Sequence, residues 1–396
     1  MDATRDAVLE AMPYLDEFGQ VRAMDWPGKV HGGSELSAAV KHEFDAASRG
    51  TWSPVFDRFG GWANGPKLKA TGNFRTEKKD GRWWMVDPDG NLFWSVGACC
   101  VGFDVSTPLT DERKKANFFA WLPGADDPLK SAGIWSLKKS EGVNFAAMNL
   151  YRVFGTNWNA IARDAVHGRM HAWGVNTIGA WSADEMMRDA KTPYTLTAGI
   201  WWPVWNDGGE RMVSPFDASF EKNLREQLEK FSWAKSDPFC IGAFIDNELE
   251  WPDEFTPKVF AMPDWEPTKK WVLEKLKARY PDIGALNAAW GTSLGEWKEF
   301  FKLSPLKIPK AARADIEPLY LDYAKTYFAK CRQVMNEVLP GKLYLGCRTH
   351  RGPKLVGHAA LGNVDPGPMH SSTPWRASTA RRRTAIPAPI PLRRRV

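Results

Sequence analysis

Helical and strand-like hydrophobic patterns alternate along most of this chain. Apolar residues recur at helical spacing over residues 158–173 and 217–234, and a short apolar run follows each segment, VNTIGAW and FCIGAFI. Another strand-like run lies near residues 195–201, and KLYLGCRTH forms a further one. The remaining helical patterns occupy residues 267–279, 282–290, 294–302 and 316–338. This alternation predicts a parallel sheet covered by helices.

The predicted fold class is α/β. At this chain length, and with polar residues at the strand ends, the pattern favours a (β/α)8 TIM barrel over a doubly wound sheet. About five of the eight strands of such a barrel can be counted along the chain. The prediction is therefore an incomplete barrel whose last strands are missing.

The region before the barrel is predicted to be an irregular linker or wrapping segment over residues 1–70, with one helix for which Ser34 is the N-cap. From Gly72 onward, three short strand-like runs are separated by the turn sequences KKDG and PDGN. They predict an antiparallel hairpin that leads into the first buried strand near residues 92–98. The barrel domain is predicted to span residues 71–358.

Residues 359–396 contain six Pro and seven Arg and have no hydrophobic periodicity. They predict a disordered tail, and the composition also fits a GC-rich gene read out of frame, a hypothesis that the downstream DNA tests. With one acid, Asp365, this tail accounts for the whole net charge of +6. The neutral remainder predicts no nucleic-acid partner and no membrane partner.

The sequence gives no support for export, a membrane span, or a metal or cofactor site. The start, MDATRDAVLEAMPYL, lacks the pattern of a signal peptide, and no apolar stretch is long enough to span a membrane. The five cysteines have no metal-site spacing, and Cys99, Cys240 and Cys347 are predicted to be small buried hydrophobes. His167 and His171 lie four residues apart on a predicted outer helix, and no metal is expected there.

The run FCIGAFIDNELEW carries the candidate chemistry. It starts as a buried strand and turns abruptly polar at Asp246, Asn247 and Glu248. In a barrel, the carboxyl ends of the strands form the active-site face. Glycoside hydrolysis needs a carboxylic acid that protonates the leaving oxygen and a second carboxylate. The 21 Trp are either large core residues or platforms on which sugar rings stack, and composition does not separate the two.

More of the chain resembles one family, the β-agarases of glycoside hydrolase family 50, within the clan-A glycosidases. The resemblance covers about residues 15–358 and rests on the stretches DEFGQVRAMDWPGKVH, GGWANGPKLKATGNFRTEKKDGRWWMVDPDGNLFWSVG, TPLTDERKKANFFAWLP, NLYRVFGTNW, HAWGVNTIGAW, the Glu248 motif, ALNAAWGTSLGEW and YLGCRTH. It implies retaining hydrolysis of β-1,4-galactosidic bonds in agarose or a related galactan, without a cofactor. Glu248 is then the general acid/base, and Asn247 binds a substrate hydroxyl beside it.

The resemblance ends before the strand that carries the family's nucleophile, so none is named; Glu254, Glu296 and Glu317 do not end strand-like runs. Arg348 and His350 match the family pattern as substrate contacts. Trp181 is a predicted stacking platform. Trp251 and Trp201 are further stacking candidates, for which core packing is the alternative. Asn176 is a further candidate contact, for which a structural role is the alternative.

Three other interpretations stay open: a β-galactosidase-like clan-A hydrolase, a carbohydrate-binding remnant without a nucleophile, and an unstable fragment without function. The expected partner is a polysaccharide, and the pattern does not indicate an oligomeric state. The family resemblance implies an extracellular or periplasmic location, although the chain carries no signal peptide.

Overall fold

The structure is a computed structural model that describes residues 13–103, 105–115, 117–137, 140–200, 204–207, 210–348 and 352–365. Its α-helices are α1 (Gly33–Ser48), α2 (Asp111–Lys115), α3 (Pro128–Gly133), α4 (Phe145–Phe154), α5 (Trp158–Ala172), α6 (Asp184–Arg188), α7 (Phe220–Glu229), α8 (Phe255–Ala261), α9 (Pro267–Arg279), α10 (Ile283–Trp290), α11 (Lys310–Ile316), α12 (Leu319–Val338) and α13 (Lys354–Ala360). Within the described ranges, no helix is both long and apolar enough to cross a membrane.

The strands form four sheets within the described residues. They are β1 (Arg75–Lys79), β2 (Arg82–Val86), β3 (Leu92–Phe93), β4 (Gly97–Ala98), β5 (Thr107–Pro108), β6 (Ile134–Leu137), β7 (Ser140–Val143), β8 (Thr177–Ile178), β9 (Tyr194–Ala198), β10 (Val204–Asp207), β11 (Glu210–Val213), β12 (Cys240–Asn247) and β13 (Leu343–Arg348). Strands β5, β7 and β6 form an antiparallel sheet in that order, and β10 and β11 form a hairpin.

The central sheet is parallel, and its spatial order β4-β8-β9-β12-β13 is also the order along the chain. Strand β12 is buried on both faces, which explains why CIGAFI reads as a continuous apolar run. Helices α7 and α12 contact each other, and they contribute Phe220 and Tyr327 to the main hydrophobic core. The predicted α/β class with a helix-covered parallel sheet is confirmed.

The predicted antiparallel hairpin is present as the sheet β1-β2-β3. Its first turn has left-handed backbone at both Asp80 and Gly81, as a two-residue type I′ turn requires. The inner face of this sheet shares a hydrophobic cluster with Ile241 and Leu343, which lie at the starts of β12 and β13. The antiparallel sheet therefore covers the amino end of the parallel sheet.

Between residues 13 and 70, the described part of the N-terminal segment contains one regular helix, α1. Its N-cap is Gly32 and no side chain caps it, so Ser34 lies inside the first turn and the predicted cap is wrong. Helix α1 packs closely against α5, where a Cβ at Gly168 would sit 2.1 Å from the carbonyl oxygen of Ala47. Glycine is needed at this crossing because any side chain would collide with the neighbouring backbone.

The packed chain extends beyond the boundary predicted after residue 358, which falls inside α13. After α13 the chain returns beside β13, where the N–H of Asp365 donates to the carbonyl oxygen of Tyr344 at 3.0 Å. The Asp365 carboxylate accepts the N–H of Tyr344 at 2.8 Å and pairs with Arg332 at 2.7 Å. The boundary shifts to at least Asp365, and the remainder of the predicted tail lies outside the described residues.

A buried carboxyl ties the turn at residues 57–61 to the antiparallel sheet. Asp87 is fully buried, and its Oδ1 accepts the N–H of Asn91 at 2.9 Å. Burial, together with a hydrogen bond to the neighbouring Asp57 carboxyl, raises the pKa of Asp87 to about 7. When Asp87 is protonated, its hydroxyl is available to donate to Asp57 and so to join the two segments.

We expect the free energy of unfolding to fall as the pH rises from about 4 to about 7. In this window the folded chain keeps a proton on Asp87 that the unfolded chain, with a pKa of 3.8, has lost. In the wild type, this fall in the free energy of unfolding should be on the order of 2–4 kcal/mol between pH 4 and 8. Asp87→Asn imitates the protonated carboxyl, so the fall should be absent in that variant. Urea unfolding at several pH values measures this loss.

The control is Asp89→Asn, which removes an exposed carboxylate that pairs with Arg58. The wild-type pH dependence should persist in this variant between pH 5 and 8. An Asp87→Asn protein with the same pH dependence as the wild type would show that Asp87 does not hold the proton.

Candidate active site

The carboxyl ends of the parallel strands bring polar and aromatic residues to one edge of the sheet. Strand β12 ends at Asn247, directly after Asp246 and before Glu248, and β13 ends at Arg348. Trp181 lies three residues beyond the end of β8. Ligands of parallel α/β sheets and barrels bind at this edge, because the loops that follow the strands converge there.

Left-handed backbone at non-glycine residues is concentrated at the same edge. Cys100, Trp181, Asp246 and Glu248 have φ values of 57°, 63°, 65° and 53°. Each residue ends a parallel strand or follows one closely. Such conformations cost roughly 1 kcal/mol or more per residue and persist only where the surroundings hold them. The backbone at this edge therefore departs from regular strand geometry.

The end of β12 is bulged relative to β13. The register between the two strands shifts twice in the second half of β12, and Gly346 on β13 adopts a φ of 92°. Beyond the shift, Asn247 pairs with Arg348, and the N–H of Glu248 donates to the carbonyl oxygen of Arg348 at 2.7 Å. A bulge redirects side chains at a strand end. Glu248 is consequently exposed immediately beyond a buried strand.

Trp181 and Arg348 meet across this edge. The Trp181 side chain is 55% exposed, and the guanidinium carbon of Arg348 lies 5.7 Å from its ring centroid. The Nη1 atom of Arg348 is buried without a hydrogen-bond partner in the part of the chain that the structure describes. An open aromatic face beside an unused donor suits a ligand rich in C–H faces and hydroxyl groups.

Asn176 lies at the opposite, amino edge and is 1% exposed. Its Nδ2 donates to the carbonyl oxygens of Gly60 at 2.9 Å and Trp94 at 3.0 Å, while its Oδ1 accepts the N–H of Val96 at 2.8 Å. These bonds fasten the N-terminal segment to the start of β8. The prediction that Asn176 contacts substrate is wrong, and its alternative, a structural role, describes the residue.

Trp251 is a core residue with 3% exposure. Its ring stacks on Phe328 at 5.7 Å and meets the rings of Tyr327 and Tyr323 edge to face. No face of the ring is open to a sugar, so the predicted stacking role is wrong. The ring instead packs against α12 behind the end of β12.

The cysteine prediction holds for Cys240 and Cys347, which are buried, and is wrong for Cys99, which is exposed with Cys100 at the end of β4. The apolar run around Cys99 gave no sign that β4 ends at residue 98. His350 and Trp201 lie outside the described residues, so their predicted substrate contacts stay predictions.

The other glutamates considered from the sequence each bond to other parts of the chain. Glu254 pairs with Arg313, and Glu296 pairs with Lys298. Glu317 accepts the first backbone N–H groups of α8 and so caps that helix. Two of these carboxylates form ion pairs, and the third caps a helix.

His167 and His171 share one partner, the Thr192 hydroxyl, at 2.8 and 2.9 Å. Burial lowers the pKa of both imidazoles, that of His171 to about 4. Among the described residues, no group of three or more metal-binding side chains comes together. The two histidines act as a neutral, hydrogen-bonded element of the helix interface.

Sequence reasoning missed Tyr327, which belongs to the edge through its hydroxyl. This hydroxyl donates to Oδ2 of Asp246 at 2.9 Å. The available signal was the spacing of Tyr320, Tyr323 and Tyr327, which places three tyrosines on one buried face of α12. A buried tyrosine hydroxyl needs a partner, but the sequence does not say which one.

Comparison with known proteins gives a consistent set of relatives. Two proteins of Vibrio sp. (strain JT0107) align over 87% of this chain: β-agarase B is 32% identical over 389 residues, and β-agarase A is 25% identical over 398 residues. The alignments span 40% and 39% of these two relatives. No family model matches the chain.

Solved structures agree with the sequence relatives. PfGH50B is 31% identical with a TM-score of 0.77, and the agarase AgWH50C is 28% identical with the same TM-score; they cover 89% and 90% of this chain. This chain is a relative of the β-agarases of glycoside hydrolase family 50. The family resemblance inferred from the sequence is thereby confirmed. The chain spans 56% and 57% of those two solved chains.

We expect Asn176→Ala to lower the free energy of unfolding by about 2–4 kcal/mol, because it leaves one buried N–H and two carbonyl oxygens without their partner. Urea unfolding measures this loss. Asn149→Ala is the matched control, since Asn149 makes one bond from its Nδ2, to Phe18 O at 3.0 Å, and accepts one from Arg152. Equal losses in the two variants would refute the fastening role of Asn176.

Proposed function

We propose that this chain is a glycoside hydrolase that cleaves β-1,4-galactosidic bonds in agarose or a related galactan. The relatives named β-agarase support the substrate class. The observation that carries the proposal is the end of β12, where the chain passes from a buried strand to an exposed Glu248 on left-handed backbone. Trp181 and Arg348 lie at the same edge and supply a stacking face and a donor.

In this proposal Glu248 is the general acid/base of a retaining reaction. Its carboxyl protonates the glycosidic oxygen as the bond breaks and later takes a proton from the attacking water. Asn247, next to it, binds the hydroxyl beside the reacting carbon. A retaining enzyme also places a nucleophilic carboxylate about 5–5.5 Å from the acid.

We also propose that the parallel sheet is part of a (β/α)8 barrel, whose hydrolase domain extends from residue 71 to at least Asp365. The identical spatial and chain order of five parallel strands supports this architecture. The return of Asp365 to the open side of β13 supports it too, because the next barrel strand would lie there. In such a barrel the antiparallel sheet closes the amino end and leaves the carboxyl end for substrate.

Carbohydrate binding without hydrolysis is the second candidate function. Of the parallel strands that the structure describes, β12 alone has an acidic residue, Asp246, within its last two positions. Trp181 and Arg348 could hold a galactan without a second carboxylate. The two candidates differ in whether sugar is released.

Glu248→Gln should lower the release of reducing ends from agarose at least about 100-fold, since a carboxamide cannot donate the proton that the leaving oxygen needs. The matched control is Glu250→Gln, two residues further along, which should hydrolyse agarose like the wild type. Glu248→Gln should lower the hydrolysis rate of an aryl β-galactoside with a nitrophenolate leaving group by a smaller factor, because that leaving group needs little protonation.

Equal hydrolysis by Glu248→Gln and wild type would show that Glu248 is not the acid. A wild-type chain that is retarded in an agarose gel but releases no sugar would favour the second candidate.

Trp181→Ala should weaken the binding of an agaro-oligosaccharide about 10-fold, or roughly 1.4 kcal/mol, because the sugar loses its stacking face. Titration calorimetry measures the affinity. Trp173→Ala is the control, because Trp173 is 72% exposed but precedes β8 at the amino edge. Equal affinities for the two variants would place the sugar away from Trp181.

A further inference from the structure

Asp246 is fully buried although Glu248, two residues further on, is exposed. Oδ1 of Asp246 accepts the backbone N–H of Ile200 at 2.7 Å, and Oδ2 accepts the hydroxyl of Tyr327 at 2.9 Å. A buried carboxylate is costly unless it is hydrogen-bonded, and bonds to a charged acceptor are stronger than neutral ones. This side chain therefore ties the end of β12 to the segment after β9 and to helix α12.

These bonds act where the backbone is least regular. Asp246 has a φ of 65°, a conformation that aspartate tolerates better than most residues, and Glu248 has a φ of 53°. Between them, Asn247 pairs with Arg348 beyond the shift in register. Fixing Asp246 inward therefore fixes the direction in which the next two residues leave the strand.

We propose that Asp246 is the positioning residue of the site: its inward carboxylate, held by Ile200 and Tyr327, keeps the bulged strand end in the conformation that presents Asn247 and Glu248 to the substrate. The inference rests on the proposed function for the roles of those two residues. Asp246 itself touches no substrate and transfers no proton. It acts through the backbone.

If Tyr327 acted only as a buried contact of α12, loss of another buried hydroxyl from the same helix should have the same effect. Tyr323 lies one helical turn before Tyr327, is also buried, and donates its hydroxyl to the carbonyl oxygen of Val213 at 2.6 Å. Tyr323→Phe therefore removes a comparable buried hydroxyl from the same helix without removing a bond to Asp246. It is the matched control for Tyr327→Phe.

The test that does not depend on activity is residue-resolved amide hydrogen exchange on the full chain. We expect Tyr327→Phe and Asp246→Ala to speed exchange of the Glu248 amide, which bonds Arg348 O, at least 10-fold more than that of Leu196 in β9. Asp246→Asn should restore protection to within about 3-fold, because its carbonyl oxygen still accepts the N–H of Ile200. Tyr323→Phe should leave the Glu248 amide unchanged.

Unchanged exchange at Glu248 in Tyr327→Phe, or an equal increase in Tyr323→Phe, would overturn the inference even if Asp246→Ala fails to fold. If the chain hydrolyses agarose, Asp246→Ala and Tyr327→Phe should lower kcat at least 10-fold and change KM less than 3-fold. Asp246→Asn should recover most of the wild-type kcat. Faster exchange at Glu248 with undiminished hydrolysis would instead count against the proposed function of Glu248.

Discussion

The hydrogen bonds of Asp246 are the interaction on which the site depends. Strand β12 is buried on both faces, yet its last residues must reach solvent within a short span. The chain achieves this with two left-handed residues and a bulge, each of which costs conformational energy. The Ile200 amide and the Tyr327 hydroxyl offset part of that cost, because both donate hydrogen bonds to the buried carboxyl group of Asp246.

The two ends of the parallel sheet are built for different purposes. At the amino end, the antiparallel sheet, the buried Asp87 and the hydrogen-bonded Asn176 close the structure. At the carboxyl end are the left-handed residues, the exposed Trp181 and an Arg348 donor that has no acceptor among the described residues. Stability is thus concentrated at one edge and the capacity to bind at the other, as in parallel barrels.

The features predicted from the sequence are those that local patterns determine. The hairpin follows from its turn residues, α5 and α12 from their helical spacing, and the position of Glu248 from the abrupt end of an apolar run. The errors concern contacts between distant parts of the chain. Asn176 bonds residues 80 to 116 positions away, and Tyr327 reaches Asp246 across 81 residues. Burial of Trp251 likewise depends on α12, so periodicity could not separate a core ring from a platform.

The proposed function requires the carboxyl group of Glu248 to contact the glycosidic bond that is cleaved. A crystal structure of the Glu248→Gln chain with an agaro-oligosaccharide tests this most directly. We expect the side chain at position 248 to lie about 2.6–3.2 Å from a glycosidic oxygen, with an adjacent sugar ring on the face of Trp181. An oligosaccharide bound at another edge of the sheet, or with its glycosidic oxygens out of reach of position 248, would contradict it.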